Sequence, residues 1–310
     1  MSSYHNTSLP MLGYDGFIDS ELLTRQFDQR PLSRNRNIIR LLGLSWDEDK
    51  EVERPTLTDP IRPVLIVELA WEEYPDLASY ANNKPSRSRR LTIEEALSIA
   101  ADVADGLAAL HSFGVVHGDL KPANVLLFLD TETATEIDPE NQSPRLVAKI
   151  GDFGYSGIAS SPDDVRGGTP FWNAPECLDS CNDEGLKAFA MHQSRDIYSF
   201  GLLLVYLWTN GGSPFEGIGP SLAAIDRAKL DDQISDHCCA LIRNSNFSKI
   251  AGKAAAAVED VVRDTLDLDP RLRCSNIGGV RSTLIGVYAT LLSNMIQSTN
   301  IARGSEERLD

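Results

Sequence analysis

Positive charge is scarce in this sequence relative to negative. Its 310 residues carry 29 Lys and Arg against 45 Asp and Glu, a formal net charge of −16. That balance repels polyanions and disfavours nucleic acid and anionic membrane as partners. No lysine at all precedes Lys50. Long apolar runs are missing too. The longest, Phe200–Trp208, falls well short of the about 20 residues that span a bilayer. Met1–Pro10 has neither the basic segment nor the apolar core of a secretory leader. Cysteine is sparse: Cys177, Cys181, Cys238, Cys239 and Cys274 show no zinc-type pairing. They read as reduced thiols of the cytoplasm or nucleus.

Apolar residues make up 42% of the chain, enough for a sizeable core in one large or two small domains. The most informative stretch is Val116-His117-Gly118-Asp119-Leu120-Lys121-Pro122-Ala123-Asn124-Val125-Leu126-Leu127. A short apolar run leads into it and a β-type run, Val125–Phe128, leaves it. Charged and amide side chains held between two buried supports are a site geometry. The simpler reading is a polar turn whose Asp and Asn bond their own backbone.

The loop resembles the catalytic loop of eukaryotic protein kinases, H-R-D-L-x-x-x-N before an apolar strand, with Gly118 where that family usually has Arg. The resemblance implies Asp119 as the base that accepts a substrate hydroxyl proton and Lys121 as the cation on the γ-phosphate of ATP. Asn124 becomes a ligand of Mg²⁺, and Lys at position 121 points to the Ser/Thr branch. Leu146–Ile150 reads as a strand, and Asp152-Phe153-Gly154 just after it resembles the D-F-G triplet. Asp152 is then the second Mg²⁺ ligand. One carboxylate and one amide oxygen suit an ion that completes its shell with phosphate and water.

Further elements follow in the family's order. Gly167–Glu176, containing Ala174-Pro175-Glu176, resembles the end of an activation segment that seats a peptide. Thr169 is implied to bridge Asp119 and Lys121, and Glu176 to pair with Arg273. Asp196, in Asp196-Ile197-Tyr198-Ser199-Phe200-Gly201, is implied to bond the catalytic-loop backbone; otherwise it is a plain helix cap. Leu91–His111 is the clearest helix, with Thr92 as cap and Glu95 three residues on. Upstream, Asn37–Gly43 and Val64–Ala70 read as strands, the second ending in a hinge. There Val67 is the implied gatekeeper, and the backbones of Glu68 and Ala70 face an adenine ring.

The expectation is an α+β, protein-kinase-like chain. Residues 1–70 form a truncated, β-rich small lobe, 71–300 a mostly helical large lobe, and 301–310 a disordered tail. ATP and Mg²⁺ are the implied cofactors and a protein the substrate. The small lobe departs from the family. Three strands ahead of its helix need about 30 residues, whereas 20 precede Glu21, the candidate helix glutamate. Gly13 and Gly16 make no G-x-G-x-x-G, and the ATP-anchoring lysine has no counterpart before Lys50. Two readings stay open here: a truncated Ser/Thr kinase, or a pseudokinase that binds partners without turnover. Ser86–Arg90 reads as a solvated basic loop and Asp130–Arg145 as an exposed insertion.

Overall fold

A computed structural model describes residues 31–47, 62–82, 91–130, 145–159, 167–190, 192–219 and 221–306. Glu21, Gly13, Gly16, the Ser86–Arg90 loop and most of the Asp130–Arg145 stretch lie outside these residues. The chain divides into two compact units. The first comprises the described parts of Met1–Arg34 and Arg40–Glu68, the second Asn35–Ile39 together with the chain from Leu69 onward.

In the first unit, β1 (Leu41–Asp47) and β2 (Arg62–Val67) pair antiparallel, with a register shift between Leu41 and Gly43. Both strands differ from their expected bounds. The first begins at Leu41 rather than Asn37, because the backbone before it is engaged elsewhere. Ile39 N–H donates to Ile150 O and Ile150 N–H to Asn37 O, both at 2.9 Å. The second ends at Val67 rather than Ala70. Val64, Leu65, Ile66 and Val67 are exposed, Leu65 by 63%. A two-stranded ribbon has no layer of its own to cover it.

The second unit is built on helices. α1 is Leu77–Asn82 and α2 Ile93–Ser112. Thr92 caps α2: its Oγ1 accepts from Glu95 N–H at 3.1 Å, and Glu95 Oε2 accepts from Thr92 N–H at 3.0 Å. This reciprocal pair satisfies two donors that the first helical turn leaves open. Leu97, Ile99, Ala100, Val103, Ala104 and Leu107 recur at helical spacing and are buried. α3 (Glu184–Lys187) is one turn, and α4 (Ser194–Trp208) buries all of its residues. A helix apolar on every side belongs at the centre of a core. α4 packs against α2, α6 (Ile234–Asn244) and α8 (Ala255–Thr265). α5 (Leu222–Leu230) and α7 (Asn246–Ala251) complete the region. α9 runs from Ile277 to Glu306 and packs on α2. It therefore passes position 301, where a disordered tail was expected. No proline interrupts its final turns, and Ala302, Arg303 and Glu306 are tolerated or favoured in a helix.

Two short sheets position the loops. β3 (Val115–Val116) pairs with β6 (Gly157–Ile158), and β4 (Val125–Leu129) with β5 (Leu146–Ile150), each antiparallel. Removing the α2 cap tests how far this helix depends on it. Thr92→Ala should lower unfolding free energy in urea by about 1 kcal/mol, and Thr92→Ser should recover most of it.

Candidate active site

The ladder registers bring two loops together. Residues 117–124 connect β3 to β4, and residues 151–156 connect β5 to β6. Because Val125 pairs with Ile150, Asn124 and Gly151 meet at the ladder's end, where Gly151 N–H donates to Asn124 O at 2.9 Å. Two more ties close the arrangement. The His117 ring donates from Nε2 to Gly151 O at 3.0 Å, and Ser156 Oγ donates to His117 O at 3.0 Å. Asp152 follows directly, with an exposed side chain and φ of 58°. That left-handed backbone is uncommon for a residue other than glycine and is the kind of strain stored at functional sites. Asp152 Oδ1 accepts from Gly154 N–H at 3.2 Å.

Asp119 is 2% exposed. Its Oδ2 accepts from Lys121 Nζ at 2.7 Å, and its Oδ1 from Thr169 N–H at 2.7 Å. Lys121 Nζ also donates to Thr169 Oγ1 at 2.8 Å. Burial alone would raise the Asp119 pKa, but the bonds from Lys121 and Thr169 outweigh it and hold the carboxyl below its ordinary 3.8. It is a proton acceptor at neutral pH. Asn124 Nδ2 donates to Asp119 O at 2.8 Å and approaches Asp119 Oδ2 at 3.2 Å. With its NH₂ committed to Asp119, the Asn124 amide oxygen is the atom left to meet a hard cation.

The loop is carried by a buried carboxylate. Asp196 is 1% exposed, accepting from His117 N–H at 2.8 Å, Gly118 N–H at 2.9 Å and the His111 ring at 3.0 Å. Burial pushes its pKa up, yet these donors win and the net shift is downward from 3.8. Glu176 and Arg273 form a wholly buried bidentate pair at 2.6 and 2.9 Å. Arg273 spends its other donors on the carbonyls of Ser194, Asp267 and Leu268. All five guanidinium donors are thereby used.

Sequence reading missed three further groups. Lys229 is 1% exposed and donates to the carbonyls of Pro170, Phe171 and Asn173 at 2.9, 3.0 and 2.7 Å. Burial lowers its pKa to about 7 against the pull of Asp226. Its signal was a lysine on the same helical face as Ile225. His111 and Arg195 are the others; they flank Asp196 in space and in sequence respectively. Burial also pushes the Cys177 thiol up to about 12, which leaves it protonated and unreactive.

At the proposed hinge, Val67 ends β2, and Glu68 N–H donates to Arg40 O at 3.0 Å. The Ala70 backbone makes no hydrogen bond among the described residues. No cluster of three or more His, Cys, Asp or Glu forms a metal cage among those residues. The donors at the hairpin end are one amide oxygen and one carboxylate, a set that fits Mg²⁺ arriving with phosphate oxygens. No helix among the described residues is long and apolar enough to cross a membrane.

The family model described as the protein kinase domain matches residues 33–284. A probable serine/threonine-protein kinase of Dictyostelium discoideum is 29% identical over 190 residues, 61% of this chain and 9% of that protein. The serine/threonine-protein kinase PkaB of Streptomyces coelicolor is 40% identical over 217 residues, 69% of this chain and 45% of the relative. The serine/threonine/tyrosine-protein kinase HT1 of Arabidopsis thaliana is 32% identical over 173 residues, 55% and 38% of the two chains. This chain thus spans less than half the length of each of these curated relatives.

Two outcomes test the supports. Asp196 has a depressed folded pKa, so its contribution is complete above the unfolded value and is lost as pH falls through the folded one. Asp196→Asn should therefore flatten the fall in stability below about pH 4, read from urea midpoints at several pH values. Glu176→Ala leaves Arg273 buried without its partner and should cost about 3–5 kcal/mol in the same assay.

Proposed function

Given that this chain belongs to the protein kinase domain family, and is of the Ser/Thr type by that kinship, we propose that its second unit carries the site for phosphoryl transfer. The reaction moves the γ-phosphoryl group of ATP to a Ser or Thr hydroxyl of a protein substrate. The observation that supports this best is the bonded set of Asp119, Lys121 and Thr169 around one buried, ionised carboxylate.

Each group then has a task. Asp119 accepts the hydroxyl proton as the oxygen–phosphorus bond forms. Lys121, already beside Asp119, offsets charge on the transferred group. Asn124 and Asp152 hold Mg²⁺. Bound ATP with Mg²⁺ supplies the phosphoryl group and a partly neutralised polyphosphate. Thr169 fixes the rotamer of Asp119, and residues 167–176 seat the substrate peptide. The five free cysteines support a reducing compartment, cytoplasm or nucleus.

One observation favours a second reading. No lysine lies among residues 1–49, so none of these can serve as the ATP-anchoring lysine. A single electrostatic group in an active site is worth about 10²–10³ in rate. A catalytically impaired pseudokinase acting as an interaction module is the alternative.

Melting temperature and label transfer separate these readings. Mg²⁺·ATP should raise the melting temperature more than ATP alone, and Asp152→Ala should remove the difference. Label transfer from ATP to a Ser/Thr peptide should be weak and should vanish in Asp119→Asn. No Mg²⁺-dependent shift would favour the interaction module. Vigorous transfer abolished by Asp119→Asn would show that the missing lysine is dispensable.

A further inference from the structure

Arg195 is a buried cation that the phosphoryl-transfer scheme leaves unused. It is 2% exposed, at the start of α4, directly before Asp196. Its guanidinium reaches three carbonyls on three separate segments. Nη2 donates to Gly118 O at 2.9 Å and Gly167 O at 2.7 Å, and Nη1 donates to Ala190 O at 3.0 Å. Gly118 is the residue before Asp119. Gly167 stands two residues before Thr169, whose N–H holds Asp119 Oδ1. One guanidinium therefore ties the loop that carries the carboxylate to the segment that orients it.

The backbone around this cation excludes side chains. Gly118 has φ of 80°, and a β-carbon there would lie 2.5 Å from Tyr155 O. Gly168 has φ of 100°, and its β-carbon would lie 2.5 Å from Gly118 O. Neither position accepts a side chain without backbone movement. The two segments approach closely enough for one guanidinium to serve both, and the cation has to come from another element. Its seat on the central helix fixes it. Asp196, the next residue, anchors the same loop through His117 N–H and Gly118 N–H. Adjacent residues of α4 thus satisfy opposite sides of the loop backbone: a carboxylate takes its N–H groups and a guanidinium its carbonyl. Charge-assisted bonds from a rigid, planar donor set restrain geometry better than a flexible ammonium would.

We propose that Arg195 is a positioning residue, a built-in clip that holds the substrate-seating segment against the Asp119 loop with no phosphate on the chain between Ala159 and Gly167. The proposal deepens the phosphoryl-transfer reading and rests on it for the meaning of residues 167–176. The ordering that a phosphorylated segment obtains from a new cation–phosphate contact is here supplied by main-chain carbonyls.

Amide hydrogen exchange of the full chain tests the clip without requiring turnover. Mass spectrometry first verifies that the sample, treated with phosphatase, carries no phosphate. In that sample the amides of Thr169, Trp172 and Asn173, all hydrogen-bonded, should be protected. Arg195→Ala should speed their exchange by about 10- to 100-fold, the loss expected for charge-assisted hydrogen bonds. Protection of α2 over residues 93–112 should stay unchanged, which separates positioning from general destabilisation. Arg195→Lys should give an intermediate effect, and it decides the matter at smaller amplitude if the alanine variant does not fold. Unprotected Thr169, Trp172 and Asn173 amides in the phosphate-free chain would overturn the proposal. So would exchange that Arg195→Ala leaves unchanged, or that rises equally in α2. Because exchange reads the clip and label transfer reads the chemistry, failure of one is distinguishable from failure of the other.

Discussion

The site hangs on one buried negative charge. Asp196, rooted in a helix with no exposed face, takes two consecutive loop N–H groups and the His111 ring. A carboxylate so deeply buried is stable only when its lone pairs are used, and this one has three donors. The geometry that satisfies it also dictates the course of residues 117 and 118. Asp119 then emerges pointing at Lys121 and Thr169. Placing the constraint in the centre of the core, rather than in the loop, ties the loop directly to the helix beneath it.

Three layers of organisation follow from that anchor. The β4–β5 register sets Asn124 and Asp152 at the same end of one hairpin, and β3–β6 closes the other side of the same pair of loops. The Glu176–Arg273 pair, wholly buried, joins the end of the 167–176 segment to the chain after α8. Lys229 then takes the three carbonyls of the turn in between. In the last two cases a charged side chain from a helix or its flank satisfies main-chain carbonyls. That is the demand irregular structure makes when it is buried. The polar residues of this core thus serve mainly to hold loops, while Leu, Val and Ile of α2 and α4 supply the apolar burial.

Much of this was legible in the sequence, the helix cap from local spacing and the long-range pairs from the resemblance to protein kinases. Thr92 and Glu95 announce a cap by spacing, and the structure shows both bonds of the box. Asp119, Lys121 and Thr169 were expected together and are bonded together. Glu176 was expected to find Arg273, and does. The strand limits near Asn37 and Ala70 were misread for a physical reason. Apolar runs say which residues favour an extended chain, whereas the ladder partners decide where pairing starts, and Asn37 and Ile39 pair with Ile150. The helix past position 301 was missed because the expected tail rested only on the general tendency of chain ends to be poorly ordered. Arg195 and Lys229 were invisible because their acceptors are backbone carbonyls. A carbonyl leaves no mark in a sequence, so only the oddity of a cation among buried positions hinted at them.

Asn124 and Asp152 lie at one hairpin end with an amide oxygen and a carboxylate to offer, and the proposal that they converge on a nucleotide-bound divalent ion is tested most directly by paramagnetic broadening. Mn²⁺·ATP, substituting for Mg²⁺·ATP, would be titrated into the isotopically labelled chain and amide resonances followed. The predicted result is selective loss of the Asn124 side-chain amide and the Gly151 and Asp152 backbone signals, reversed by excess Mg²⁺. Broadening spread evenly over the chain, or concentrated away from residues 117–124 and 151–154, would contradict it.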